Sequence, residues 1–167
     1  MSKKSRPKPE FKLNLGCGKD VREGYENIDI RDLPGTIKAD VRDLPYPEGS
    51  CDEILAMDIL EHISHEETLA TVAHWLSKLK SGGVLKIQSP CLPMICAYIM
   101  SSSNPDQIHN GIKLLFGNQD YADNTHRTAL HPELFHRMLV MDLCVPEENI
   151  AFNTEFGTNV RVLIKKP

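Results

Sequence analysis

No stretch of this sequence is apolar enough to cross a bilayer. The longest runs from Cys91 to Met100, about half the roughly 20 residues of a span, and contains Pro93. The first residues lack the apolar segment of a secretory leader, so a cytoplasmic setting is expected. The cysteines, Cys17, Cys51, Cys91, Cys96 and Cys144, are five in number with no C-x-x-C pair. Neither a disulfide framework nor a cysteine metal site is expected from that pattern, and reduced thiols are. There is no basic excess either, with 19 Lys plus Arg against 23 Asp plus Glu and a net charge of -4. Together with an aromatic content of 6%, this argues against nucleic acid as the partner.

What is present suits one folded domain. The chain has 167 residues, 41% of them hydrophobic and 25% charged. That size supports one core and not two. Residues 1–10, with Lys3, Lys4, Arg6, Lys8 and two prolines, read as a basic flexible tail. Residues 11–167 read as a single α/β domain, because short apolar runs alternate with turns and helical periods. Strands are predicted near 11–15, 25–30, 36–40, 52–57, 84–89, 149–154 and 159–165.

A helix is predicted from Leu69, Val72, Ala73, Leu76 and Leu79, with a Ser64–Glu67 capping box before it and Lys78, Lys80 and Gly82 closing it. A second starts at Pro132 and carries Leu134, Phe135, Met138 and Leu139. Residues about 91–131 form an insertion, read as a helix near 93–101 followed by a long polar loop. A loop of that length in a compact domain is functional or mobile.

The strand Lys12–Leu15 runs into Gly16-Cys17-Gly18, a turn that lets backbone approach a ligand closely. A G-x-G-x-x-G dinucleotide fingerprint would need glycine where Val21 stands, which disfavours a nicotinamide or flavin enzyme. Polar residues end the following strands: Asp29, Asp40, Asp58 and Gln88-Ser89. In an open parallel sheet, ligands sit beyond those carboxyl ends. One acid there can accept from both hydroxyls of a ribose, and another from the exocyclic amine of adenine. Any single Asp reads first as an ordinary strand-end or turn residue; the set of them is what points to a site.

These segments occur in the order found in class I S-adenosylmethionine-dependent methyltransferases, which the chain resembles over about 11–166. The match runs through Leu13-Asn14-Leu15-Gly16-Cys17-Gly18, Asn27-Ile28-Asp29-Ile30, Ala39-Asp40-Val41 to Pro47, and Cys51-Asp52-Glu53-Ile54. It continues through Ile59-Leu60-Glu61-His62 and Leu79 to Leu85. Tyr121 to Leu139, with His126-Arg127 before Pro132-Glu133, looks like a compact bacterial branch associated with glycan or other small-molecule methylation.

The resemblance implies a Rossmann-like fold: a mostly parallel seven-stranded sheet with an antiparallel last strand. It implies S-adenosyl-L-methionine as cofactor, held by Asn14, Gly16, Cys17, Gly18, Asp29, Ile30, Asp40, Val41, Asp58 and Ile59. Two departures are visible. Asp20 replaces a frequent third glycine, and the first two crossovers are too short for the usual helices. One sheet face is therefore expected to lack helical cover, with the late insertion or a second subunit of a homodimer covering it.

Methyl transfer needs alignment, exclusion of water and, for a hydroxyl or amine, removal of a proton. His62 is the first candidate base, since imidazole titrates near neutral pH. His126 and Arg127 are second candidates, Arg127 also as a clamp for an anion. Asp58-x-x-Glu61-His62, with His65, His126 or His131, has the residue types of a cation site. The resemblance gives Glu61 a structural role instead, and no metal ligand is assigned. The expected activity is methylation of an oxygen or nitrogen of a small molecule, such as a sugar or glycan precursor. The rivals are a non-catalytic, cofactor-binding subunit of a methyltransferase complex and a nucleic-acid methyltransferase.

Overall fold

The structure is a computed structural model that describes residues 10–167, with only the backbone described at Glu155 and Phe156. The basic tail expected over 1–10 thus lies, apart from Glu10, outside the described residues. The seven strands are β1 (Lys12–Leu15), β2 (Glu26–Asp29), β3 (Ile37–Lys38), β4 (Cys51–Met57), β5 (Leu79–Pro90), β6 (Ile150–Phe156) and β7 (Asn159–Lys165). They form one sheet in the order β3-β2-β1-β4-β5-β7-β6. The first five run parallel, and β7 is antiparallel to both β5 and β6. The order reverses between β1 and β4, so the ends of those two strands open a crevice for a ligand.

The helices are α1 (His65–Lys78), α2 (Leu92–Ser101), α3 (Pro105–Phe116) and α4 (Pro132–Arg137), the last running into a π-helical segment at Met138–Asp142. The α1 start differs from the expected capping box. The Ser64 Oγ donates to the Glu67 carboxylate at 2.7 Å instead of accepting its amide. The helix closes at Lys78, and Lys80 and Gly82 already belong to β5. Its buried face is also rotated from the expected stripe. Thr71, Val72 and Trp75 face the sheet while Leu69 is exposed, because the large indole takes the centre of the contact.

The polar loop expected after α2 is in part a helix. Asn104 caps α3 by accepting the Asp106 amide, Pro105 takes the first turn, and Gly117 at φ +78 ends it. Gly111 packs so closely on α2 that an added Cβ would lie 2.3 Å from Ile99. The α2–α3 hairpin stands at the carboxyl edge of the sheet, where Asn110, Lys113 and Leu114 face the first glycine turn.

The segments joining β1 to β2, β2 to β3 and β3 to β4 contain no helix, one more helix-free crossover than the sequence suggested. One core cluster gathers Leu13, Leu15, Ile54, Leu85, Ile87 and Ile164 from the sheet with Val72, Trp75, Phe135 and Leu139 from α1 and the α4 region. The opposite face, around Leu55, Lys86, Arg161 and Leu163, is an open groove lined by no residue of the insertion. The expectation that the insertion covers it is corrected. Long side chains dress it instead: Tyr25 donates to Glu53 at 2.6 Å and Lys86 pairs with Glu53 at 3.0 Å. Their stems help keep Leu55 only 3% exposed.

Candidate active site

The first turn is shaped by its glycines. Gly16 and Gly18 have φ of +59 and +53. A Cβ on Gly16 would lie 2.5 Å from the Ile59 side chain, so only glycine lets the turn and Ile59 pack together. Asn14 is committed to holding this turn. Its amide donates to the Asp20 carbonyl at 2.8 Å and to Asn27 Oδ1 at 2.9 Å. Cys17 is buried, and its backbone amide is bonded to Ile28.

Asp29 sits at the end of β2 and is 4% exposed. Burial alone would raise its pKa. Hydrogen bonds from the Arg31 side chain and amide, and from the Gly18 amide at 2.8 Å, outweigh that and hold it below the ordinary carboxylate range. Asp40, beyond β3, repeats the device. The Arg42 guanidinium donates to both its oxygens and lowers its pKa. The two Asp-x-Arg units place a carboxylate, each with its own arginine, on one cavity wall.

That cavity holds about 180 Å³ and is lined by Gly16, Asp29, Ile30, Asp40, Val41, Asp58 and Ile59, seven of the residues assigned to the cofactor. Arg31, Arg42, Tyr121 and Asp123 also line it and were missed from the sequence. The repeated Asp-x-Arg spacing was the available signal for the arginines. Tyr121 had none, since only folding brings its ring to 4.8 Å from the Arg31 guanidinium.

Val41 is positioned from behind. The Trp75 indole donates to its carbonyl at 2.8 Å, and His74 Nε2 accepts the Leu44 amide at 2.9 Å. A loop without its own helix is thus fixed by α1.

A second cavity, of about 600 Å³, lies between the glycine turn and α3. Asn14, Cys17 and Gly18 face it, with Glu61, His126 and Asn159. Gly16, Arg31, Asp58, His62 and Tyr121 line both cavities and form the boundary between them.

At that boundary Asp58 has φ +51, a left-handed conformation uncommon for an aspartate. Burial raises its pKa, although Gln88 donates to one oxygen at 2.9 Å. Glu61 is 2% exposed, and burial pushes its carboxyl up to about 8. The Ser89 hydroxyl donates to it at 3.0 Å. The Glu61 carbonyl accepts the amides of Arg127 and Thr128, at 2.7 and 3.2 Å, and so pins the insertion to the end of β4.

His62 Nδ1 donates to the Thr125 carbonyl at 3.2 Å, and His126 Nδ1 to the Leu114 carbonyl at 3.0 Å. A carbonyl cannot donate, so Nδ1 carries the proton in both rings and Nε2 keeps its lone pair. Burial lowers both pKa values, which leaves the rings neutral near pH 7. Their centroids are 5.0 Å apart at 83°. The structure thus brings His62 and His126 together. Arg127 lines the first cavity, and neither His65 nor His131 joins the histidine pair.

Residues 17–87 match the family model of the methyltransferase domain. No curated protein sequence matches the chain. Solved structures with the same fold include PH0226 protein from Pyrococcus horikoshii, at TM-score 0.63 and 13% identity over 96% of this chain and 83% of that one. A second is 1,6-didemethyltoxoflavin-N1-methyltransferase from Burkholderia thailandensis, solved with 1,6-didemethyltoxoflavin and S-adenosylhomocysteine. It aligns at TM-score 0.57 and 12% identity, over 95% of this chain and 72% of that one. A third, an O-methyltransferase family protein from the same organism, aligns at TM-score 0.58 and 15% identity over 94% of this chain. This chain spans about half of it, 51%. At these identities the likeness is one of fold.

Proposed function

We propose that this chain is a class I S-adenosylmethionine-dependent methyltransferase and that it methylates an oxygen or nitrogen of a small molecule, a reading supported by its fold and by the domain match over residues 17–87. The observation that carries the reading is the meeting of two cavities at Asp58 and His62, one lined by carboxylates and the other facing the insertion.

The donor set of the first cavity fits the cofactor. Asp29 would accept from the ribose hydroxyls, with Ile30 against the adenine face. Asp40 and the Val41 amide would meet the adenine edge, and Gly16 to Gly18 would lie along the methionine part. S-adenosylmethionine, when bound, supplies an activated methyl group on sulfur. The chain's part is then to align the acceptor, exclude water and handle a proton.

The α3 face and Tyr121 enclose the acceptor side. In the site without a metal ion, His62 accepts the acceptor's proton at Nε2, since Nδ1 is tied to Thr125. His126 faces it from the second cavity, while Arg127 stands on the wall of the first and offers its cation there. The structures aligned above include one named for N-methylation and one for O-methylation, so the fold accommodates either atom. A cytoplasmic setting accords with the five cysteines, which are all free. Among the described residues no helix is long and apolar enough to cross a membrane.

The test is S-adenosylhomocysteine release from S-adenosylmethionine with sugars, phenols and amines as acceptors. Turnover with one of these classes is expected. Cofactor binding without turnover across the panel would indicate a non-catalytic subunit instead. Binding of NAD in place of S-adenosylhomocysteine would overturn the reading.

A further inference from the structure

We propose that Glu61, His62 and His126 form a binding site for one divalent transition-metal ion on the acceptor side of the boundary. One donor atom from each lies within 4.8 Å of the others. Two imidazoles and a carboxylate are a ligand set suited to manganese, iron, cobalt or zinc, and ill suited to calcium, which takes oxygen donors. The inference rests on the reading of this boundary as the methyl-acceptor site, and it reverses the sequence expectation of no metal ligand.

Three features of the site point to a cation. First, each histidine already has the partner that metal-binding histidines have. Nδ1 of His62 donates to the Thr125 carbonyl and Nδ1 of His126 to the Leu114 carbonyl, which frees Nε2 as the ligand atom. The rings meet edge to face at 83° and do not stack, so their edges can converge on one point.

Second, Glu61 is a carboxyl group with 2% exposure, and no lysine or arginine among the described residues forms an ion pair with it. A carboxyl group buried in this way is ionised only beside a countercharge, which a metal ion would supply in exchange for its proton. Third, the arrangement is built from two distant segments. Arg127 and Thr128 donate their amides to the Glu61 carbonyl at 2.7 and 3.2 Å, which locks the His126 loop against the end of β4.

Asp58 stays outside the ligand set, since its oxygens face Gln88 at 2.9 Å and Asn159 at 3.4 Å. The three ligands leave coordination positions open, as catalytic sites do. They open on the cavity beside α3, where the acceptor would lie. With the ion bound, His62 serves as a ligand, and the acidity of the acceptor comes from the cation. The acceptor class this favours is a hydroxyl, such as a phenol or sugar, since an oxygen suits such an ion as a further ligand.

The test uses the full chain, stripped with chelator, dialysed and titrated with cobalt(II). Heat and visible absorbance are both recorded, and S-adenosylhomocysteine affinity is measured on the same samples. One equivalent of cobalt is expected, with d–d bands indicating nitrogen ligation. His126→Ala and Glu61→Gln should each weaken it more than about a hundredfold, since loss of even an outer partner costs ten- to a hundredfold. S-adenosylhomocysteine affinity should be unchanged in both variants, which shows that they fold. The absence of stoichiometric cobalt binding to the wild type would overturn the site, as would equal binding by His126→Ala. Retained S-adenosylhomocysteine binding in that case leaves the methyltransferase reading and the His62 base intact. Its loss in the wild type would strike that reading separately.

Discussion

Single side chains at this site are constrained more tightly than their exposure suggests. Gly16 combines a φ of +59 with an Ile59 side chain that would lie 2.5 Å from an added Cβ. Gly16→Ala is therefore expected to cost about 1–3 kcal/mol in urea unfolding and to weaken S-adenosylhomocysteine binding. His62 lies on the boundary of both cavities. His62→Ala should lower turnover by about two to four decades while cofactor affinity is kept. Full activity in that variant would remove His62 from the chemistry. Asp29 and Asp40 were legible as strand-end acids because the ends of parallel strands face the ligand side of such sheets. Glu61 and His62 were legible as cation-type residues, but the choice of His126 over His65 or His131 was not, since it arrives on a loop with no periodicity to read.

At the level of elements, α1 does the work of a missing helix. Its indole and imidazole hold the backbone from Val41 to Leu44, next to the wall of the first cavity. Trp75 is fully buried, so Trp75→Phe loses one hydrogen bond and leaves a void, and it should cost about 2–4 kcal/mol in denaturant unfolding. His74 accepts the Leu44 amide, and burial lowers its pKa from 6.5. The folded protein thus favours the neutral ring. The stability this contributes is present above about pH 6.5 and is lost as pH falls through the lower folded value. Thermal unfolding across pH 5–8 should show that loss, and His74→Gln should lessen it, the remainder coming from His62 and His126, whose pKa values burial also lowers.

The elements also show where sequence reading stops. Seven strands were legible from short apolar runs between turns. The α1 stripe was misjudged because Leu69 fits the period as well as Trp75 does, and only packing on the sheet separates them. For α3 the signals were present in Asn104-Pro105 and Gly117, at the two ends of a helix whose polar residues resemble those of a loop.

Among the described residues, α1 and the α4 region pack on one face of the sheet, and its carboxyl edge carries the two cavities. The connections before β4 have lost their helices, and the opposite face is kept by Tyr25, Glu53 and Lys86. Nearly all residues that would meet a cofactor lie in that stripped-down half, and those that would meet an acceptor lie at Glu61 and His62 and in the insertion.

The central claim is that Asp29 anchors S-adenosylmethionine in the first cavity. It is tested most directly by calorimetric titration of S-adenosylhomocysteine into the wild type and Asp29→Ala. One-to-one binding by the wild type is predicted, weakened about ten- to a hundredfold in the variant, as expected for charge-assisted hydrogen bonds. No binding by the wild type, or equal affinity in the two proteins, would contradict the account.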